Sequence, residues 1–184
     1  SLGANTTGAN NTAVGNSALA ANSTGAENIA VGYEALTANT TGTRNLAVGH
    51  QAMTGSDTET DNIAIGYQAM NQNNAGGNEN VAVGNYALDA LTSGDSNTAI
   101  GMHALGANTT GGSNTGIGSD SLLLATTATG NVAVGERSMA ATTTGGNNVA
   151  VGTGALLANT TGVSNIAIGA GALAVSTTHR FNIA

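Results

Sequence analysis

An asparagine returns along this chain with a period that leaves few folds open. It stands at Asn11, Asn28, Asn45, Asn62, Asn80, Asn97, Asn114, Asn131, Asn148 and Asn165. Each step is 17 residues except the 18 from Asn62 to Asn80, and a cut-off copy begins at Asn182. Seventeen residues are too few for a strand–helix–strand unit, which takes ~30 or more. They suit one coil of a parallel β-solenoid, or β-roll, expected here as two short strands and two turns. Coils stacked ~4.8 Å apart would give about eleven turns of a rod roughly 50 Å long, each burying its apolar residues mainly against its neighbours. The repeat fills residues 1–184 as a single all-β domain. The pattern opens and closes partway through a unit, so the chain reads as an excerpt of a longer fibrous protein.

Within each unit the Asn is followed by a variable residue, Ala, Val or Ile, Gly, two variable residues, Ala or Ser, and Leu or Met. Apolar residues alternate over about five positions before the Gly, which is strand periodicity; a helix would need a longer run. Stacking turns each position into a ladder. Asn28, Asn45 and Asn62 would bond backbone groups and one another, as stacked amides do. Val31, Val48 and Ile65 would form one packing ladder beside Ala30, and Leu36 would belong to a second. Gly32, Gly49 and Gly66 would supply a positive φ or a close backbone approach. The extra residue of the 18-residue step is expected in the turn around "NQNNAGGNEN".

Composition agrees with a thin core. The chain is 40% hydrophobic but only 2% aromatic, so small aliphatic side chains must do the packing that aromatics usually do. Only 7% of residues are charged, with ten acids against Arg44, Arg137 and Arg180 and a net charge of −7. No basic patch exists to neutralise phosphates, so a nucleic-acid partner is not expected. No apolar run approaches the ~20 residues of a membrane span, and the absence of Cys removes thiolate chemistry. Both faces of the first strand are free of charge, which points to a sheet that meets a symmetry mate.

These residues carry a resemblance. "NIAVGYEALTANTTGTRNLAVGHQAM" resembles the repeats of bacterial and phage tail-fibre-domain proteins, and is similar to the head repeats of trimeric autotransporter adhesins such as Yersinia adhesin A. The Val-Ala-Ile-Gly core of the adhesin heads corresponds here to Ile29-Ala30-Val31-Gly32 and Ile63-Ala64-Ile65-Gly66. The resemblance implies a homotrimer of left-handed parallel β-rolls, displayed outside a cell or on a virion. It implies a structural shaft or head segment that serves surface or host attachment.

Chemistry finds little purchase. Gly15 and Gly32 lack the context of a phosphate-binding loop and no helix follows them, so no cofactor is expected. His50, His103 and His179 fall in different columns with no recurring partner, and catalysis needs a positioned base and an orienting group; the chain does not read as an enzyme. Asp57, Glu59 and Asp61 could aim several oxygens at a Ca²⁺, but the stretch lacks an EF-hand spacing and reads first as a solvated acidic turn. Tyr33, Tyr67 and Tyr86 are the candidate contacts for a host receptor or glycan. "ANTTG" and its variants recur, so Thr7, Thr24, Thr41, Thr110, Thr144 and Thr161 would form an alternative ice-binding face, interrupted in the middle coils by "SDTET", "NNAGG" and "TSGDS". A subunit that polymerises end to end into an extracellular filament is a further alternative.

Overall fold

The computed structural model describes residues 2–72 and 76–184. It is a parallel β-solenoid with one strand per coil. The strands are β1 Thr12–Val14, β2 Ile29–Val31, β3 Leu46–Val48, β4 Ile63–Ile65, β5 Val81–Val83, β6 Thr98–Ile100, β7 Thr115–Ile117, β8 Val132–Val134, β9 Val149–Val151 and β10 Ile166–Ile168. They form one sheet in sequence order. Ala pairs with Ala from β1 to β6. The register holds across the 18-residue step, where Ile63 pairs with Val81. Gly55 N–H still donates to Asn71 O as Ala38 N–H does to Thr54 O, whereas Gly77 takes the place that Glu59 has one coil earlier. The extra residue therefore lies between Asn71 and Gly77, inside the expected turn. An eleventh partial coil adds bridges from Val163 to Arg180 and from Ile166 to Ile183.

Among the described residues the second strand expected in each coil does not form. The stretch after each strand turns instead: Glu34 and Leu36 have φ angles of 54° and 50°, and every equivalent Leu or Met from Leu19 to Leu173 is also left-handed. The left-handed region costs an L-residue ~1–2 kcal/mol, a cost that would normally exclude leucine. Here complete burial of Leu36 or Met53, worth about 1.5–3 kcal/mol for such a side chain, offsets the strain. The turns save their backbone groups by bonding to the next coil: Leu36 N–H donates to Ala52 O at 3.1 Å and Ala38 N–H to Thr54 O at 3.3 Å.

The strand also faces the other way from the packing-ladder expectation. Its central Ala is inside: Ala30, Ala47, Ala64, Ala82 and Ala99 are wholly buried. Val14, Ile29, Ile65 and Val151 lie outward with exposures of 57%, 42%, 37% and 37%. The coil is so narrow that Ala faces Leu or Met across it, and a β-branched residue inside would force the turns apart. Gly116 replaces the Ala in β7, where an added Cβ would come within 3.0 Å of Ser121 Oγ and 3.4 Å of Leu105 Cγ.

The Asn ladder is as dense as the spacing implied. Asn114 Nδ2 donates to Asn97 Oδ1 at 3.1 Å and to Ala128 O at 2.7 Å, and its N–H donates to the same Asn97 Oδ1 at 3.0 Å. The pattern repeats at Asn97, Asn131, Asn148 and Asn165. Each buried amide thus joins three coils, which satisfies the polar atoms that a coil with so little apolar volume cannot avoid burying.

Candidate functional site

Three surfaces follow from this cross-section. The first is the outer face of the sheet. On every strand the first and third side chains project outward, so the face carries two columns, such as Ile29–Leu46–Ile63–Val81 and Val31–Val48–Ile65–Val83. No charged residue stands in either column. Ile100, Ile117 and Val132 continue the exposure at 39%, 36% and 36%. A parallel sheet is ordinarily covered on both faces; here one face is filled by the coil's own turns and the other is bare.

The second surface is an aromatic ridge at the edge where each strand ends. Tyr33, His50 and Tyr67 directly follow the column glycines, and Tyr86 and His103 sit one residue further along. The rings nevertheless form one continuous stack. Successive centroids are 5.0 Å apart from Tyr33 to His50, 5.1 Å to Tyr67, 5.3 Å to Tyr86 and 5.2 Å to His103. Such offsets are within the favourable range for aromatic pairs. Sequence reasoning named the three tyrosines and missed the two histidines, because the stack steps from one column to the next at Tyr86. An amide ladder runs beside it: Gln68 Nε2 donates to Gln51 Oε1 at 2.8 Å, and Gln51 Nε2 donates to Glu34 Oε2 at 2.8 Å. The Gln51 amide, then the Tyr33 hydroxyl, hold the Glu34 carboxyl below its ordinary range. Burial pushes the Asp89 carboxyl up.

The third surface is the threonine bend. Thr7, Thr24, Thr41, Thr110, Thr144 and Thr161 are all exposed. The column is less broken than the sequence pattern implied. Thr127 and Ser93 make the same backbone contact to the next coil as Thr110 and Thr144 do, and Thr58 stands 17 residues after Thr41. The preceding hydroxyls are spent internally: Thr109 Oγ1 donates to Thr126 O at 3.1 Å and Thr143 Oγ1 to Thr160 O at 3.2 Å. Of the three segments read as interruptions, "NNAGG" includes residues outside the described ones.

The acidic trio does not converge. Glu59 is 2% exposed, and its Oε2 accepts from the N–H groups of Asp57 and Thr58 at 2.6 and 3.0 Å, while Oε1 accepts from Gly76 N–H at 3.0 Å. Asp61 takes a bidentate pair from Arg44 at 2.6 and 2.7 Å, and Arg44 holds its carboxyl below the ordinary range. Asp57 accepts from the Thr40 hydroxyl. Each carboxylate thus has a separate partner. Among the described residues no three His, Cys, Asp or Glu side chains are grouped to hold a metal.

No protein-family model, curated protein or solved structure matches this chain significantly. Fold and surface define its class directly: a single-sheet parallel β-solenoid repeat protein. No helix of the structure is long and apolar enough to cross a membrane.

Proposed function

We propose that the chain is a structural, non-catalytic rod, a shaft or head segment of an extracellular fibre that assembles as a homotrimer and serves surface or host attachment. One observation carries this reading: the bare Val/Ile face along ten strands. Nine steps of ~4.8 Å and a strand width of ~7 Å give it roughly 300 Å² in projection, comparable with the largest apolar patch of a typical monomer, which is often functional. Three copies arranged in parallel would bring identical columns together at one height per coil and remove them from water. The variable edge, with its aromatic ridge of Tyr33, Tyr67 and Tyr86, would remain outside for a receptor or glycan.

Sedimentation equilibrium tests the assembly. The expected mass is three times the 17.7 kDa chain. A Val48→Asp and Ile65→Asp double variant is expected to lose the trimer mass with its β circular dichroism retained, because both side chains lie outside the coil. A wild-type monomer at all concentrations would remove the trimer.

The uncharged column from Thr110 through Thr127, Thr144 and Thr161 favours one second reading, ice binding. It presents one exposed hydroxyl and one methyl per coil, at a spacing fixed by the sheet. Thermal hysteresis separates the readings. None is expected from a fibre segment, whereas hysteresis abolished by Thr127→Asp would establish the ice face.

A further inference from the structure

The face that adjoins the aromatic ridge at His103 has a relief of its own. It is built by the two residues after each ladder Leu or Met. Coil by coil the first of these columns reads Gly106, Leu123, Ala140, Leu157. Backbone bonds stack them in that order, with Ala107 N–H donating to Leu123 O, Leu124 N–H to Ala140 O and Ala141 N–H to Leu157 O at 3.0–3.1 Å. Bulky and small residues therefore alternate every second coil. The second column adds Leu124, 48% exposed, beside Leu123. Two depressions result. One, of about 330 Å³, lies over Ala140 and Ala141 between the leucines, with Asp120 and Arg137 at its rim. The other, of about 450 Å³, lies over Gly106 and Ala107, with Asp89 and His103 at its rim.

We propose that this face is a docking surface for a second copy of the same chain, lying antiparallel. Consider a two-fold axis perpendicular to the rod, midway between the coils of Leu123 and Ala140. It sets Leu123 and Leu124 of one copy into the depression over Ala140 and Ala141 of the other, and the reverse. The same rotation sets Leu157 over Gly106, so each ridge meets a hollow. It also keeps each lateral edge on its own side. Asp120 and Arg137 occupy the same position in successive coils, so each Asp120 then faces the other copy's Arg137. Among the described residues Arg137 has no ion pair within its own chain, while Asp120 lies 3.5 Å from His103 Nδ1. Shape and charge are thus satisfied by one operator, the isologous arrangement in which a patch complements itself. Other partners would have to match a two-coil repeat that this chain already contains.

The contact covers about four coils on each side, well below the ~1,200 Å² of a standard stable interface. A lone pair of rods is therefore expected to associate weakly, and rods carried several to a fibre much more strongly. The docking face is separate from the Val/Ile sheet, so it does not depend on the trimer.

Charge exchange tests it. D120R and R137D each place in one coil a residue type that the neighbouring coil already accepts at the same left-handed φ, 56° and 54°, so both variants should fold. Analytical ultracentrifugation over a concentration series is run in the Val48→Asp, Ile65→Asp background as well as the wild type. A reversible association is expected in both backgrounds, weakened at least about tenfold by D120R, by R137D or by Leu124→Asp. A 1:1 mixture of D120R and R137D is expected to associate as the parent does, since both cross-copy pairs are then restored. No association in the sheet-face background, variants that associate like the parent, or a mixture no stronger than either component would overturn the proposal. Loss of the trimer alone would leave it standing.

Discussion

Gly84→Ala is expected to destabilise the rod by about 4 kcal/mol or more, a size reserved for core disruption and severe backbone strain. Two effects add. The residue's φ is +139°, a conformation nearly confined to glycine that costs of order 1–3 kcal/mol for other residues. A Cβ there would also lie 2.5 Å from Gly101 O, 2.6 Å from Gly101 C and 3.1 Å from Met102 N. All three are backbone atoms of the next coil, so no side chain can swing aside. Relief requires β5 and β6 to separate, which opposes the 2.8 Å bond from Gly101 N–H to Val83 O. Gly154→Ala provides the internal control. Its φ is +65° and nothing lies within 4 Å of the added carbon, so only the left-handed penalty of ~1–2 kcal/mol applies. Urea melts of the two variants should differ by at least about 2 kcal/mol, and equal midpoints would refute the close-approach account.

That contrast also explains what the sequence could and could not disclose. A period of 17 with a recurrent Asn and Gly is legible because stacking demands that every coil solve the same problem in the same way. The inward face of the strand was harder to read. Ala30 and Val31 are both apolar, and period-two alternation says only that they lie on opposite sides. The distinguishing signal is uniformity: the middle position is Ala in every strand except β7, where it is Gly116, while its neighbours vary among Thr, Val, Leu and Ile. Buried positions in a narrow coil admit one size, and solvent-facing ones do not. The missing second strand had a signal too. Gly154 and Gly171 share a column with Glu34 and Arg137, and Gly130 shares one with Asn10 and Asn147, residues that mark a left-handed turn. The Leu and Met column contains no such marker. There burial overrides backbone preference, and pattern alone cannot weigh the two. The aromatic ridge escaped because proximity across coils tolerates a shift of one position, which column alignment does not.

Asn97→Ala is expected to cost about 3–5 kcal/mol, although it removes no apolar packing. The side chain donates to Asn80 Oδ1 at 3.1 Å and to Gly111 O at 2.9 Å, and its own Oδ1 accepts from Asn114 N–H at 3.0 Å and Asn114 Nδ2 at 3.1 Å. Truncation strands an acceptor on one side and a backbone donor on the other, all in an interior with no room for much water. Each buried group left unpaired costs ~1–3 kcal/mol. The energy of a solenoid is mostly a sum over neighbouring coils, so the loss weakens two adjacent interfaces at once and invites the rod to open in the middle. Asn11→Ala should be milder, because Asn11 is only half-buried and has no asparagine of this ladder before it. Hydrogen exchange locates the effect: protection should fall first in β5 to β7 of the Asn97→Ala protein. A uniform fall over all ten strands, or a stability loss below about 1 kcal/mol, would mean that the apolar columns hold the coils together and the amide ladder merely accompanies them.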